Sequence, residues 1–184
     1  MACLLLLGLY VVSCETEKSA EGKAKTPTEA FEQLFAAVRS KDTERIKKVM
    51  SKATLNFAEG VAAQRKVPLS KILENGLYRS TMTEKLPAMR DERIKDKWGA
   101  VEVFSKKDNR WEDVRFVLED GGWKIAVGEL FGGSYKSPGK SRTIRERENA
   151  NAAGKGLVPY GNGNLNTNIE PKIIVPKNSG KTTK

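Results

Sequence analysis

Hydrophobic positions change their rhythm several times along the chain. Leu4 to Leu7, Leu9, Tyr10, Val11 and Val12 form one nearly unbroken apolar run, interrupted only by Gly8. From residue 15 to 25 no large apolar side chain occurs. Helical spacing then begins: Phe31, Leu34, Phe35 and Val38 fall at i, i+3, i+4 and i+7, the stripe of a half-buried helix. Thr26-Pro27-Thr28-Glu29 has the form of a capping box at its start, with Thr26 as N-cap and Pro27 where a missing N–H costs nothing. Asp42 caps a second short helix carrying Ile46, Val49 and Met50. A third, near 53–65, presents Leu55, Ala58, Val61 and Ala62, and Pro68 opens a fourth that stops near Asn75-Gly76.

After Pro87 the period falls to two. Residues 89–95 form a short strand. Lys97 to Ser105 places Val101 and Val103 on one face and Ala100, Glu102 and Phe104 on the other. Trp111 to Glu119 places Val114, Phe116 and Leu118 on one face and Trp111, Asp113, Arg115 and Val117 on the other. Asp120-Gly121 is a hairpin signal, and Trp123 to Leu130 is expected to return as a strand. Helices first and antiparallel strands afterwards predict an α+β domain over residues 26–135.

Two sets of residues carry a resemblance. Thr26 to Phe31 with Lys41-Asp42, and Trp111 to Val117 with Glu119 to Ala126, resemble the nuclear-transport-factor-2-like superfamily. That resemblance covers about residues 25–132. It implies helices packed into a curved antiparallel sheet, a cone. Some members are isomerases, cyclases or dehydratases that use a pocket Asp with Tyr or protonated-Asp donors, or a His–Asp pair. The chain contains no His, which removes the second arrangement together with Ser-His-Asp triads and His-ligated metals. For the first, the pocket candidates are Tyr78, Trp111 and Asp113. The plainer expectation for Asp113 is an ion pair with a nearby Lys or Arg at a sheet edge. The aromatic residues are expected to serve as core. No residue is assigned a catalytic role.

The apolar run is about half as long as a membrane-spanning helix, which needs roughly twenty residues. It ends at Val11-Val12-Ser13-Cys14, after which Glu15, Thr16, Glu17 and Lys18 follow. A short apolar run, a small residue and then polar sequence is a signal-peptide layout. No Lys or Arg precedes the run. Ser13-Cys14 resembles the cleavage site of a bacterial lipobox, which implies cleavage between them and acylation of Cys14. Residues 1–13 are then a lipoprotein signal peptide and 14–25 a lipidated tether. The expected address is the cell envelope, and the outer membrane where there are two, because Glu15 after the Cys does not resemble a signal for retention at the inner membrane. With Cys3 removed and Cys14 acylated, the mature chain has no free thiol.

Charge sharpens the picture last. Lys and Arg number 33 against 23 Asp and Glu, a net charge of +10. Residues 136–184 hold +7 of this, and residues 1–135 only +3. The tail also holds six Gly, seven Asn and four Pro, so it is expected to be disordered, with a transient helix over Arg142–Glu148 and an extended stretch at Ile173–Val175. Its expected partners are anionic envelope polymers or lipid head groups. Nucleic acid is the poorest candidate and is not expected as a partner, because Tyr160 is the tail's one aromatic residue for base stacking and the expected compartment is wrong. Glu15, Glu17 and Glu21 lack metal-loop spacing. Asp108, Glu112 and Asp113 lack the glycine of a calcium loop, and Gly121-Gly122 and Gly132-Gly133 match no phosphate loop. No cofactor or metal is expected, and a homodimer is open. The reading is a non-catalytic binding or scaffolding lipoprotein, with a small-molecule enzyme using a pocket carboxylate as the alternative.

Overall fold

A computed structural model describes residues 22–152. Ser13, Cys14, most of the expected tether, and Ile173–Val175 lie outside the described residues. The first helix, α1 (Pro27–Arg39), starts where the capping box places it: Thr26 Oγ1 accepts from the Glu29 N–H at 3.1 Å. Glu29 reaches back to the N–H of Lys25, one residue before the cap, at 2.6 Å. Helix α2 (Thr43–Lys48) is capped by Asp42, whose carboxylate accepts from the N–H groups of Glu44 and Arg45. Helices α3 (Lys52–Arg65) and α4 (Leu69–Leu73) follow, then a 3-10 turn at Arg79–Thr81.

Strands β1 (Met89–Lys95), β2 (Trp98–Ser105), β3 (Arg110–Glu119) and β4 (Gly122–Ile125) form one antiparallel sheet in the order β1-β2-β3-β4. The architecture is α+β. One sheet face carries Val101, Val103, Val114, Phe116, Trp123 and Ile125, packed against Phe31, Leu34 and Ile46 of the helices. Leu118 has the same parity but is 42% exposed, near the end of β3. The other face carries a smaller apolar group, Trp98 and Val117 with Ala126, partly covered by Tyr135.

The expected strand over Trp123–Leu130 stops early. After Ile125 the chain turns into helix α5 (Val127–Phe131). The reason lies in α3. The Thr54 hydroxyl donates to the Ile125 carbonyl at 2.9 Å and accepts from the N–H groups of Val127 and Gly128 at 2.9 and 3.0 Å. That uses one donor and two lone pairs, the full capacity of a hydroxyl. Gly128 is obligatory at this approach, since a Cβ there would lie 2.1 Å from the Ala53 carbonyl oxygen.

The expected domain limits also move. Ala24, placed in the tether, is fully buried and forms a bridge with Trp123, whose N–H donates to the Ala24 carbonyl. Tyr135 is not the end either: Ser141 is buried, and helix α6 spans Arg142–Ala152. The tail composition concealed this because residues 136–146 are held by hydrogen bonds and charge rather than by apolar burial. The described chain up to Glu146 belongs to one compact unit, and Arg147 begins a second. Among the described residues no helix is long and apolar enough to cross a membrane.

We expect Thr54→Val to cost about 3 kcal/mol, because two buried N–H groups and a carbonyl lose their partner while shape is kept. Thr54→Ser should recover most of that loss. Urea denaturation of the three proteins measures it, and a Val variant as stable as the parent would contradict the role given to this hydroxyl.

Candidate functional site

The chemistry-bearing side chains gather on the second face of the sheet. Strand β1 has a register shift between Arg90 and Arg93. Asp91 sits inside it at φ +55°, a left-handed conformation that Asp tolerates better than most residues. The irregularity leaves Arg90 and Arg93 reaching the same face and frees the Asp91 carboxylate to act as an acceptor.

Glu102 lies in the middle of β2 and is 1% exposed. A carboxylate this deep requires partners. Arg90 Nε donates to one oxygen at 2.7 Å, and the Thr143 N–H at the start of α6 donates to the other at 2.8 Å. Arg90 also donates to Thr143 Oγ1 and stacks over the Trp111 ring at 4.0 Å. Asp91 accepts from the Arg142 N–H at 2.6 Å and pairs with Arg145 at 2.7 Å and Arg93 at 3.1 Å. Arg93 donates in turn to the Gly139 carbonyl and to Asp113. Tyr135 donates its hydroxyl proton to the Gly99 carbonyl at 2.7 Å. Residues 135–146 are thereby strapped across the sheet.

Burial alone would raise the carboxyls of Glu102 and Asp91. Hydrogen bonds from Thr143, Arg90 and Ser141 outweigh it at Glu102, and Arg145, the Arg142 N–H and Arg93 outweigh it at Asp91, so both lie below their ordinary values. Asp113 goes the other way. Its burial outweighs the attraction of Arg93 and Arg115, and its carboxyl is raised. Burial also pushes the Tyr78 phenol up to about 12 against the pull of Arg115, and it raises Tyr135, helped by Asp113.

The three residues singled out from the sequence have distinct places. Asp113 is ion-paired with Arg93. Trp111 is sandwiched, with Arg90 over its ring and Phe104 edge-on at 5.3 Å. Tyr78 comes from the far side, packs against the main core, and accepts the Arg115 N–H at its hydroxyl at 3.3 Å. Asp113, Tyr78 and Tyr135 lie near enough to influence one another's charge. Trp111 is not part of that group.

Four surface clefts, of about 880, 620, 600 and 390 Å³, lie elsewhere, and Tyr78, Trp111 and Asp113 line none of them. Among the described residues no cluster of carboxylates or thiols has the makings of a metal site. Arg90, Asp91, Arg93, Glu102 and Thr143 escaped the sequence reading. One signal was present: Glu102 interrupts the apolar run of β2, and Arg90 and Arg93 flank two acids, Asp91 and Glu92, one strand away. Comparison with protein-family models, with curated proteins and with solved structures finds no match to this chain.

A group whose carboxyl is lowered by folding stabilises the folded state above its unfolded pKa, and that contribution is lost as pH falls through the folded one. Asp91 and Glu102 have this sign, and Asp113 has the opposite one. The expected result is a net fall in stability below about pH 4, partly offset by Asp113. Glu102→Gln should be less stable at neutral pH and show a flatter acid limb. Chemical denaturation across pH checks both, and an unchanged acid limb would remove Glu102 from the account.

Proposed function

We propose that this chain is a lipid-anchored bacterial envelope protein whose α+β domain binds or scaffolds rather than catalyses. The anchor reading rests on Leu4 to Val12 followed by Ser13-Cys14 and then Glu15. The sulfur of Cys14 is the nucleophile that thioether formation to diacylglycerol needs. Several acyl chains at one residue anchor stably, whereas a single chain binds only marginally.

For the domain, the carrying observation is what Asp113 does. A cone enzyme of the kind considered would need this carboxylate free to move a proton. Arg93, only 9% exposed, holds it instead, and the hydroxyl of Tyr78 is engaged by the Arg115 backbone. Asp113 is tied through Arg93 to the strap, and Tyr78 to the backbone of β3. The finer fold reading, a nuclear-transport-factor-2-like cone, draws support from helices packed on one sheet face and from the irregular β1, which bends a strand as a curved sheet requires. The acid–base alternative is favoured by one feature, the raised carboxyl of Asp113 with Tyr78 nearby.

Metabolic labelling with a tagged fatty acid in a bacterial host tests the anchor. The parent chain should incorporate label and Cys14→Ala should not. Equal labelling of the two would exclude Cys14 as the acylated residue.

A further inference from the structure

The largest of the four clefts, about 880 Å³, lies between the loop leading into β1 and the turn joining β2 to β3. Its volume is within the range of about 300–1,000 Å³ common for small-molecule sites. Met82, Leu86, Pro87, Ala88 and Phe104 supply apolar walls. Met82 and Leu86 are 54% and 45% exposed, a cost in water that a ligand would relieve. The rim is cationic: Lys85, Lys106 and Lys107 stand against one acid, Glu84. Among the described residues none of these three lysines is placed in an ion pair.

Apolar walls under a positive rim fit a ligand with an apolar chain and an anionic head. We infer that this cleft binds a monomeric single-chain amphiphile, of the class of a fatty-acid anion, with the chain against Leu86 and Phe104 and the head at the lysines. The lysine ammonium groups are compact charges on flexible stems, suited to a head group of no fixed geometry. The cleft also lies away from the first described residues. The described chain begins at Gly22, and Ala24 bridges to Trp123 near the end of the sheet where Trp98 pairs with Val117. Lys106 and Lys107 follow Ser105, at the other end of β2, roughly 20 Å away for a strand of this length. On the anchor reading, the cleft therefore lies remote from the tethered end. The inference adds a ligand to the binding role proposed above, and it stands or falls separately from the Cys14 labelling.

The test is photo-crosslinking of the purified full chain with a diazirine-bearing fatty acid, followed by peptide mapping. Adducts should concentrate in residues 82–88 and 104–107. Excess dodecanoate should compete, and dodecyltrimethylammonium should not. Lys106→Glu with Lys107→Glu should lower labelling about tenfold, since two attractive charges become repulsive. Both sites are in an exposed turn, and an unchanged thermal midpoint will show that the fold is intact. Leu86→Asp, also at the surface, should lower labelling independently. Equal competition by the cationic amphiphile, adducts spread along the chain, or full labelling of the charge-reversed variant would overturn the inference. So would labelling by photoreactive phosphatidylglycerol in vesicles with none by the free fatty acid, which would make the cleft a membrane contact.

Discussion

Thr54 places a single hydroxyl between helix α3 and the point where β4 becomes α5. It donates to Ile125 and accepts from Val127 and Gly128, so the last strand ends after four residues while its neighbour β3 runs for ten. Ser51, which caps α3, extends the same contact: its hydroxyl donates to the buried Glu129 carboxylate at 2.9 Å. Apolar packing alone would have left the chain free to continue as a strand. A satisfied buried hydroxyl makes the turn specific, because any other path would strand its partners without hydrogen bonds.

The early end of β4 has consequences along β3. Residues 110–115 lose a strand partner on that side, and other groups take its place. Tyr78 receives the Arg115 N–H, the Ala126 N–H reaches the Arg115 carbonyl, and Glu112 accepts from the Ser80 N–H. On the second face the chain after α5 crosses back over the sheet. There the buried carboxylate of Glu102 and the half-buried one of Asp91 meet backbone N–H groups of α6 and the guanidinium groups of Arg90, Arg93 and Arg145. The Glu102 carboxylate is desolvated and paired, so removing its Arg90 partner would cost more than the pair contributes.

How much of this the sequence disclosed follows from distance along the chain. The caps at Thr26 and Asp42 were legible because each is settled within three residues. The alternation of β2 and β3 was legible because a sheet sorts side chains by parity, and Val101, Val103, Val114 and Phe116 do share the core face. The end of β4 was not, because its cause, Thr54, lies 71 residues before Ile125. The strap was not, because Glu102 and Thr143 are 41 residues apart and the strap's composition resembles that of a tail. At the candidate site, the pairing of Asp113 with a cation was foreseen, and its partner, from the far strand β1, was not.

The irregularity in β1 matters beyond the side chains it aims. An edge strand with an even row of N–H and C=O groups invites a strand from another molecule. Here the row is broken at Asp91 and Glu92, and Glu92 is engaged by the Thr28 N–H. At the opposite side, Ala24 and Met50 already bridge to β4. Among the described residues, a partner that recognises its target by adding a strand finds no continuous ribbon on either side of the sheet. The same break that aims Arg90 and Arg93 inward thus also blunts this sheet as a template for aggregation.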